Sequence, residues 1–225
     1  MSHFVTAVFA RKPEDVHDLM APYNESVDHT SPYAVFKENE ECEVDQTTGK
    51  RGYWHNPNAR WDYWMPGGGW STYLRLLPGK KGWQHIEGQK PALITGPGRC
   101  DQALARDCDT SMDEKEYKAA LRAWERLVEG SPAIEGEKPL LQLWKPEYYL
   151  NRYGSKENYA KNMASLLPYA FVTEYGVWHE MGHMGWFGFD DATFESISQY
   201  TAEFEAQLEQ AKQQGMHIII LDCHI

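Results

Sequence analysis

The chain has 225 residues with 33 acidic against 22 basic side chains, and its formal net charge of −11 would repel a nucleic-acid backbone or an anionic membrane surface. No apolar run reaches the ~18 residues a membrane helix requires, and MSHFVTAVFARKPEDV has neither the basic start nor the cleavage site of a secretory leader, so the expected location is the cytoplasm. Four cysteines, at 42, 100, 108 and 223, are too few and too far apart for a disulfide framework or a zinc knuckle and are read as reduced structural thiols.

The first element, HFVTAVFA, is apolar on both faces and predicts an internal strand. KPEDVHDLMAPYNES predicts a short helix that starts at Pro13, places Val16, Leu19 and Met20 on one side and stops at Pro22. Residues 37 to 60 are polar, end in HNPNAR, which is turn chemistry, and read as a loop leading into an aromatic strand. Two aromatic strands, Trp61 to Met65 and Trp70 to Leu77, are then expected to form a hairpin through Pro66 and three glycines.

Residues 88 to 109 read as irregular. Ser111 and Glu114 form a capping-box pattern that opens a helix with Tyr117, Ala120, Leu121, Trp124, Leu127 and Val128 on one face, ended by Gly130. A linker follows, and KPEYYLNRYGSKENYAKNMASLL predicts a helix broken near Gly154. PYAFVTEYG reads as strand and turn. A helix capped by Asp190 or Asp191 and stopped by Gly215 leads into a buried strand, MHIIILDCHI. The succession predicts one α+β domain over residues 1–225: a mixed or mainly antiparallel sheet with helices packed mostly on one face and a helical insertion around 110–166.

Two histidine-bearing stretches invite a chemical reading. His179-Glu180-Met181-Gly182-His183 spells H-E-x-x-H, which on a helix would bring His179 and His183 to one zinc ion with Glu180 as general base. Gly176, Gly182, Gly185 and Gly188 each oppose a helix by about 0.8–1 kcal/mol relative to alanine. A strand would instead hold the two histidines about 13 Å apart. The preceding AFVTEYGVW is β-branched and aromatic, which favours the strand. Trp186 and Phe189 stand where a metzincin extension would need glycine and histidine, and no residue is singled out among Glu195, Glu203 and Glu205 as a third ligand. At the other stretch, LDCHI places Asp222 and His224 on one strand face with Cys223 opposite; the pair serves either acid–base chemistry or the anchoring of the terminal strand.

Four segments, LMAPYNE, NPNARWDYWMPGGGW, GVWHEMGHMGWFG and the terminal LDCHI, together resemble an uncharacterised family of hypothetical proteins of bacteriophages, prophages and some bacterial genomes. Its central pattern runs approximately N-P-x-A-x-W-D-W-Y-x-x-G-G-R-W. Here Gly69 stands where that pattern has arginine, and Trp64-Met65 replaces its tyrosine-containing step. The resemblance supplies a grouping and no activity, and its pattern requires no H-E-x-x-H.

The primary functional expectation is a non-enzymatic binding protein of phage type. An aromatic cleft of Trp54, Trp61, Tyr63, Trp64, Trp70 and Trp83 around the Gly-rich turn, adjoined by Trp186 and with Arg60 or Asp62 as polar anchor, would take a small nucleotide-like ligand or engage a host protein, including one of host defence. This reading needs no cofactor. The alternative is a zinc-dependent hydrolase through His179, Glu180 and His183. No G-x-S-x-G, Walker or Rossmann pattern is present.

Overall fold

The computed structural model describes residues 2–185 and 188–225. It is an α+β fold with twelve strands and five helices among those residues. The strands are β1 His3–Ala10, β2 Val35–Glu38, β3 Gly52–His55, β4 Tyr63–Pro66, β5 Leu74–Leu76, β6 Lys81–Gln84, β7 Ala92–Thr95, β8 Gly98–Cys100, β9 Gln102–Leu104, β10 Ala170–Val172, β11 Trp178–Glu180 and β12 His217–His224. The helices are α1 Val16–Met20, α2 Glu114–Leu127, α3 Pro146–Tyr153, α4 Lys156–Ala164 and α5 Phe194–Gln214. Among the described residues no helix is long and apolar enough to cross a membrane.

The central strand is β12. Residues 218–223 of its IIILDC run are all buried, and it pairs antiparallel with β1 along the whole length of both strands. The other edge of β12 is shared: β9 takes His217–Ile219 and β4 takes Leu221–His224, both antiparallel. The main sheet therefore runs β11-β10-β1-β12-β9-β6-β7, with β4 beside β12 beyond the end of β9. Only the β1–β10 pairing is parallel among these, so the sheet is mixed and mainly antiparallel.

Side-chain alternation gives the sheet two faces. On one, Val5, Ala7, Phe9, Phe171, Ile218 and Ile220 pack against α5, which buries Ile197, Tyr200, Phe204, Leu208 and Ala211. Helices α2 and α3 extend the same core through Trp124, Tyr149 and Tyr153. Each such large apolar side chain is worth about 1.5–3 kcal/mol when fully buried. The opposite face carries the short α1, whose Val16 and Met20 cluster with Phe4, Val8, Trp61, Ile219 and Leu221, and among the described residues no other α-helix contributes to that cluster.

Several local expectations are corrected. The segments around the three glycines form no hairpin with one another: β4 pairs with β12, β5 pairs with β8, and Gly68–Trp70 is a 3-10 turn. The cause lies far away in sequence. Gly67 and Gly68 adopt positive φ and wrap the backbone over two buried carboxylates, so that a Cβ on Gly67 would lie 2.7 Å from Asp101 Oδ2 and one on Gly68 2.5 Å from Asp222 Cβ. The stretch 88–109 contains β7, β8 and β9, and the expected loop 37–60 contains β3, paired antiparallel with β2; all are strands too short to advertise themselves by periodicity.

Helix α2 is capped by Asp113, which accepts from the N–H groups of Lys115 and Glu116, while the Ser111 hydroxyl is engaged by Asp109. Helix α5 is capped by Thr193 with Ser196 in a reciprocal box. Asp190 is instead paired with Arg152, and Asp191 accepts the His183 N–H.

Candidate functional site

A cleft of about 880 Å³ opens on the α1 face where β4 and β9 diverge from β12. Its walls follow from register. Trp64 pairs with Cys223, Pro66 with Leu221, Gln102 with Ile219, and Trp83 with Gln102, so all these side chains point to one side of the sheet. Trp61 and the α1 residue His17 complete the aromatic lining. The volume suits a small organic ligand, and the mixture of rings with a few polar groups is the usual make-up of such sites.

The rings are held at defined angles. Trp61 and Trp64 meet edge to face at 6.3 Å, and the His17 ring lies 4.9 Å from that of Trp64. Trp61 is only 8% exposed, yet its indole N–H has no hydrogen-bond partner among the described residues. Besides the indoles, the polar side chains of the cleft are Glu14, His17, Asp62, Tyr63, His85 and Gln102; no lysine or arginine is among its described lining residues. His85 Nε2 and the Gln102 side-chain oxygen are 3.0 Å apart, which fixes both at the cleft wall.

Long-range backbone clamps place Trp61. The Asn56 side chain is buried and donates to the carbonyls of Pro22 and Asn24, at 2.8 and 2.9 Å. Trp61 O then accepts from Glu25 N–H at 2.8 Å. Tyr23 hydrogen-bonds through its hydroxyl to Gly176 O and Trp178 N–H, and burial pushes its pKa up. Arg60 Nε stands 3.5 Å from Glu180 Oε2. LMAPYNE, NPNARWDYWMPGGGW, GVWHE and LDCHI, dispersed in sequence, thus meet around this site.

Below the cleft, two carboxylates organise the glycine turn. Asp101 is fully buried and accepts from Thr72 N–H, His85 N–H and the Ser71 hydroxyl. Thr72 has φ +66, an uncommon conformation for a β-branched residue, and the Asp101 bond holds it there. Asp222 accepts from Gly69 N–H at 2.7 Å and lies 3.0 Å from His3 Nδ1. His224 is hydrogen-bonded to Asp62, and the His3 and His224 rings stand 5.0 Å apart. The LDCHI alternation holds: Asp222 and His224 share the α5 face, at an end the helix does not cover, while Cys223 is buried on the other side, where burial pushes its pKa up to about 12. Both Asp222 and His224 tie the terminal strand to distant segments.

The H-E-x-x-H residues are not helical: His179 and Glu180 end a strand, and Met181 and Gly182 form a bend before His183. Trp178–Glu180 is strand β11, paired antiparallel with β10 through the turn at Gly176. The one-turn helical geometry that would converge two imidazoles on one ion is therefore not formed. His179 stacks on Phe171 at 4.5 Å and 3° and hydrogen-bonds Glu203 at 2.8 Å, whereas His183 is exposed and 3.6 Å from Glu180. The second Glu180 oxygen accepts from the Trp178 indole at 2.9 Å.

Of the sequence-derived ligand residues, Trp61, Asp62, Tyr63, Trp64 and Trp83 line the cleft, and Trp54 does not. Arg60 turns to Glu180 and to its neighbour's carbonyl, and Trp70 lies in the 3-10 turn with its ring against Tyr73, so neither belongs to the lining. Trp186 lies outside the described residues. His17, Gln102 and His85 were not legible as site residues. Trp83 and His85 alternate on one face of GWQH, a period-2 signal, but nothing local ties Gln102 or His17 to them.

No family model, no curated protein and no solved structure matches the chain.

Proposed function

We propose that this protein binds a small planar ligand, uncharged or cationic, in the tryptophan-walled cleft, and acts by sequestering it. The carrying observation is the wedge between β4 and β9, where Trp61, Trp64 and Trp83 surround a space of about 880 Å³. Flat heterocycles stack on such rings, a contact worth about 1–3 kcal/mol per ring by alanine substitution.

Electrostatics narrows the nucleotide-like expectation. Glu14 and Asp62 face the cleft with no lysine or arginine among the described lining residues, and the chain as a whole is at −11. A phosphate there would be repelled rather than held. A free heterocycle or nucleoside fits better, stacked on the rings of the cleft. The resemblance to phage proteins makes removal of a host-derived signal the role we assign to this binding.

Calorimetric titration with heterocyclic bases, nucleosides and their monophosphates tests the reading. The uncharged compounds are expected to bind and the monophosphates to bind more weakly. Trp64→Ala should weaken binding about tenfold or more, the effect of losing one stacking surface. Equal affinity of wild type and Trp64→Ala for every compound would sink the proposal.

A further inference from the structure

A second cavity, of about 670 Å³, adjoins the first and shares three wall residues with it: His17, Trp61 and Trp64. Its remaining lining is of a different kind. Where the first lobe is dominated by rings, this one carries Asn24, Ser26, Asp28, Ser31 and Tyr33, all from the loop after α1. A single groove thus has an aromatic lobe and a hydroxyl- and amide-lined lobe, separated by the buried Trp61 with its unpartnered indole N–H.

The second lobe has hydrogen-bonding capacity left over. One Asp28 oxygen is occupied by the N–H and hydroxyl of Thr30, at 2.8 and 2.6 Å. Those bonds, led by the Thr30 hydroxyl, lower the Asp28 pKa and keep it a carboxylate acceptor. The Asp28 carboxylate is exposed, and the Asn24 amide nitrogen and the Ser26 hydroxyl have no hydrogen-bond partner among the described residues, although Asn24 Oδ1 is held by Ser26 N–H at 2.9 Å. A carboxylate beside an amide and hydroxyls is the donor–acceptor set that recognises a vicinal diol, as where an acidic side chain accepts from the hydroxyls of a ribose. No lysine or arginine is among the described residues of this lobe either.

Resting on the binding reading above, we infer that the ligand is a nucleoside-class molecule, its heterocycle stacked in the tryptophan lobe and its uncharged polyhydroxy group held in the Asn24–Asp28–Tyr33 lobe. Trp61 and Trp64 stand at the junction, as walls common to both lobes. The ligand's two parts then match the two chemistries of the groove.

Matched pairs of base and nucleoside separate this inference from its parent. Adenine with adenosine, guanine with guanosine, cytosine with cytidine and uracil with uridine are titrated into wild type, Asp28→Asn and Ser26→Ala. For the base that binds, the nucleoside is expected to bind about tenfold tighter, as a charge-assisted hydrogen bond should provide. Asp28→Asn keeps an oxygen for the Thr30 N–H and is expected to remove most of that gain while leaving the base affinity unchanged; Ser26→Ala removes a smaller part. A base and nucleoside of equal affinity, or an Asp28→Asn loss shared equally by both, overturns the sugar subsite and leaves the tryptophan cleft standing. If none of the four bases or nucleosides binds, both readings fall together. Far-ultraviolet circular dichroism of each variant distinguishes lost contacts from lost fold.

Discussion

At the residue scale the glycine turn shows how backbone freedom is spent. Gly67 has φ +72 and Gly68 φ +54, and both press against carboxylates: Asp101 for the first, Asp222 for the second. Gly69 then donates its N–H to Asp222. A side chain at 68 would meet both obstacles, an unfavourable backbone region and a contact at 2.5 Å with Asp222 Cβ. Gly68→Ala is therefore expected to destabilise the fold by more than the ~1 kcal/mol typical of a misplaced glycine replacement. Gly49 also has positive φ but open space around it, so Gly49→Ala should cost less. Urea denaturation of the two variants measures the difference, and equal midpoints would remove the steric part of the explanation. The arginine found at the position of Gly69 in the resembling pattern would need a different path here, because a Cβ on Gly69 comes 3.2 Å from Asp222 Oδ2.

At the scale of elements, β12 is the strand on which the site depends. Its N-terminal half pairs with β9 and its C-terminal half with β4, and the cleft lies in the wedge between them. His217 opens this strand with its ring 6.3 Å from that of Trp83, and its Nδ1 is buried without a partner. Burial lowers its pKa, partly countered by Glu14. The sign follows: the folded protein favours neutral His217, so above the ordinary histidine pKa of about 6.5 the residue contributes no pH dependence. Below it the unfolded chain takes up the proton more readily, and stability falls until the pH passes below the folded-state value. Thermal melts between pH 7.5 and 5 should show a smaller loss of stability for His217→Gln than for wild type; parallel curves would remove His217 as the source.

Elements also mark the limit of what the chain's own pattern reveals. β1, β12, α2 and α5 were legible because each is long enough for a period of 2 or 3.6 to stand out, and the strand at His179 was legible from its glycines and its β-branched approach. β4 and β5 were misread as partners. The Gly-rich connection resembles a hairpin turn locally, but Asp101 and Asp222, remote in sequence, dictate where it goes. Trp61, Asp62 and Trp64 stand out as a cluster for the same reason that Arg60 and Trp70, which do not line the cleft, were grouped with them: adjacency in sequence is not adjacency across a sheet. Gln102 and His17 enter the site only through strand register and helix placement.

For the whole molecule, two different coverings of one sheet separate support from function. The face under α5 is filled by apolar side chains and by His179, held between Phe171 and Glu203. The other face, with α1 the only α-helix in its cluster among the described residues, leaves the groove open along Trp61 and Trp64. An acidic molecule with carboxylates and no lysine or arginine along that groove's described lining is suited to ligands without negative charge. The nine tryptophans supply nine separate indole N–H reporters, so the claim can be read position by position. In a two-dimensional ¹H–¹⁵N spectrum titrated with a nucleoside, the indole signals of Trp61, Trp64 and Trp83 are expected to shift in concert with saturable binding. Those of Trp54, Trp70 and Trp124, outside the groove, should stay in place. Shifts confined to the second group, or none at all for each of the four nucleosides, would contradict the account.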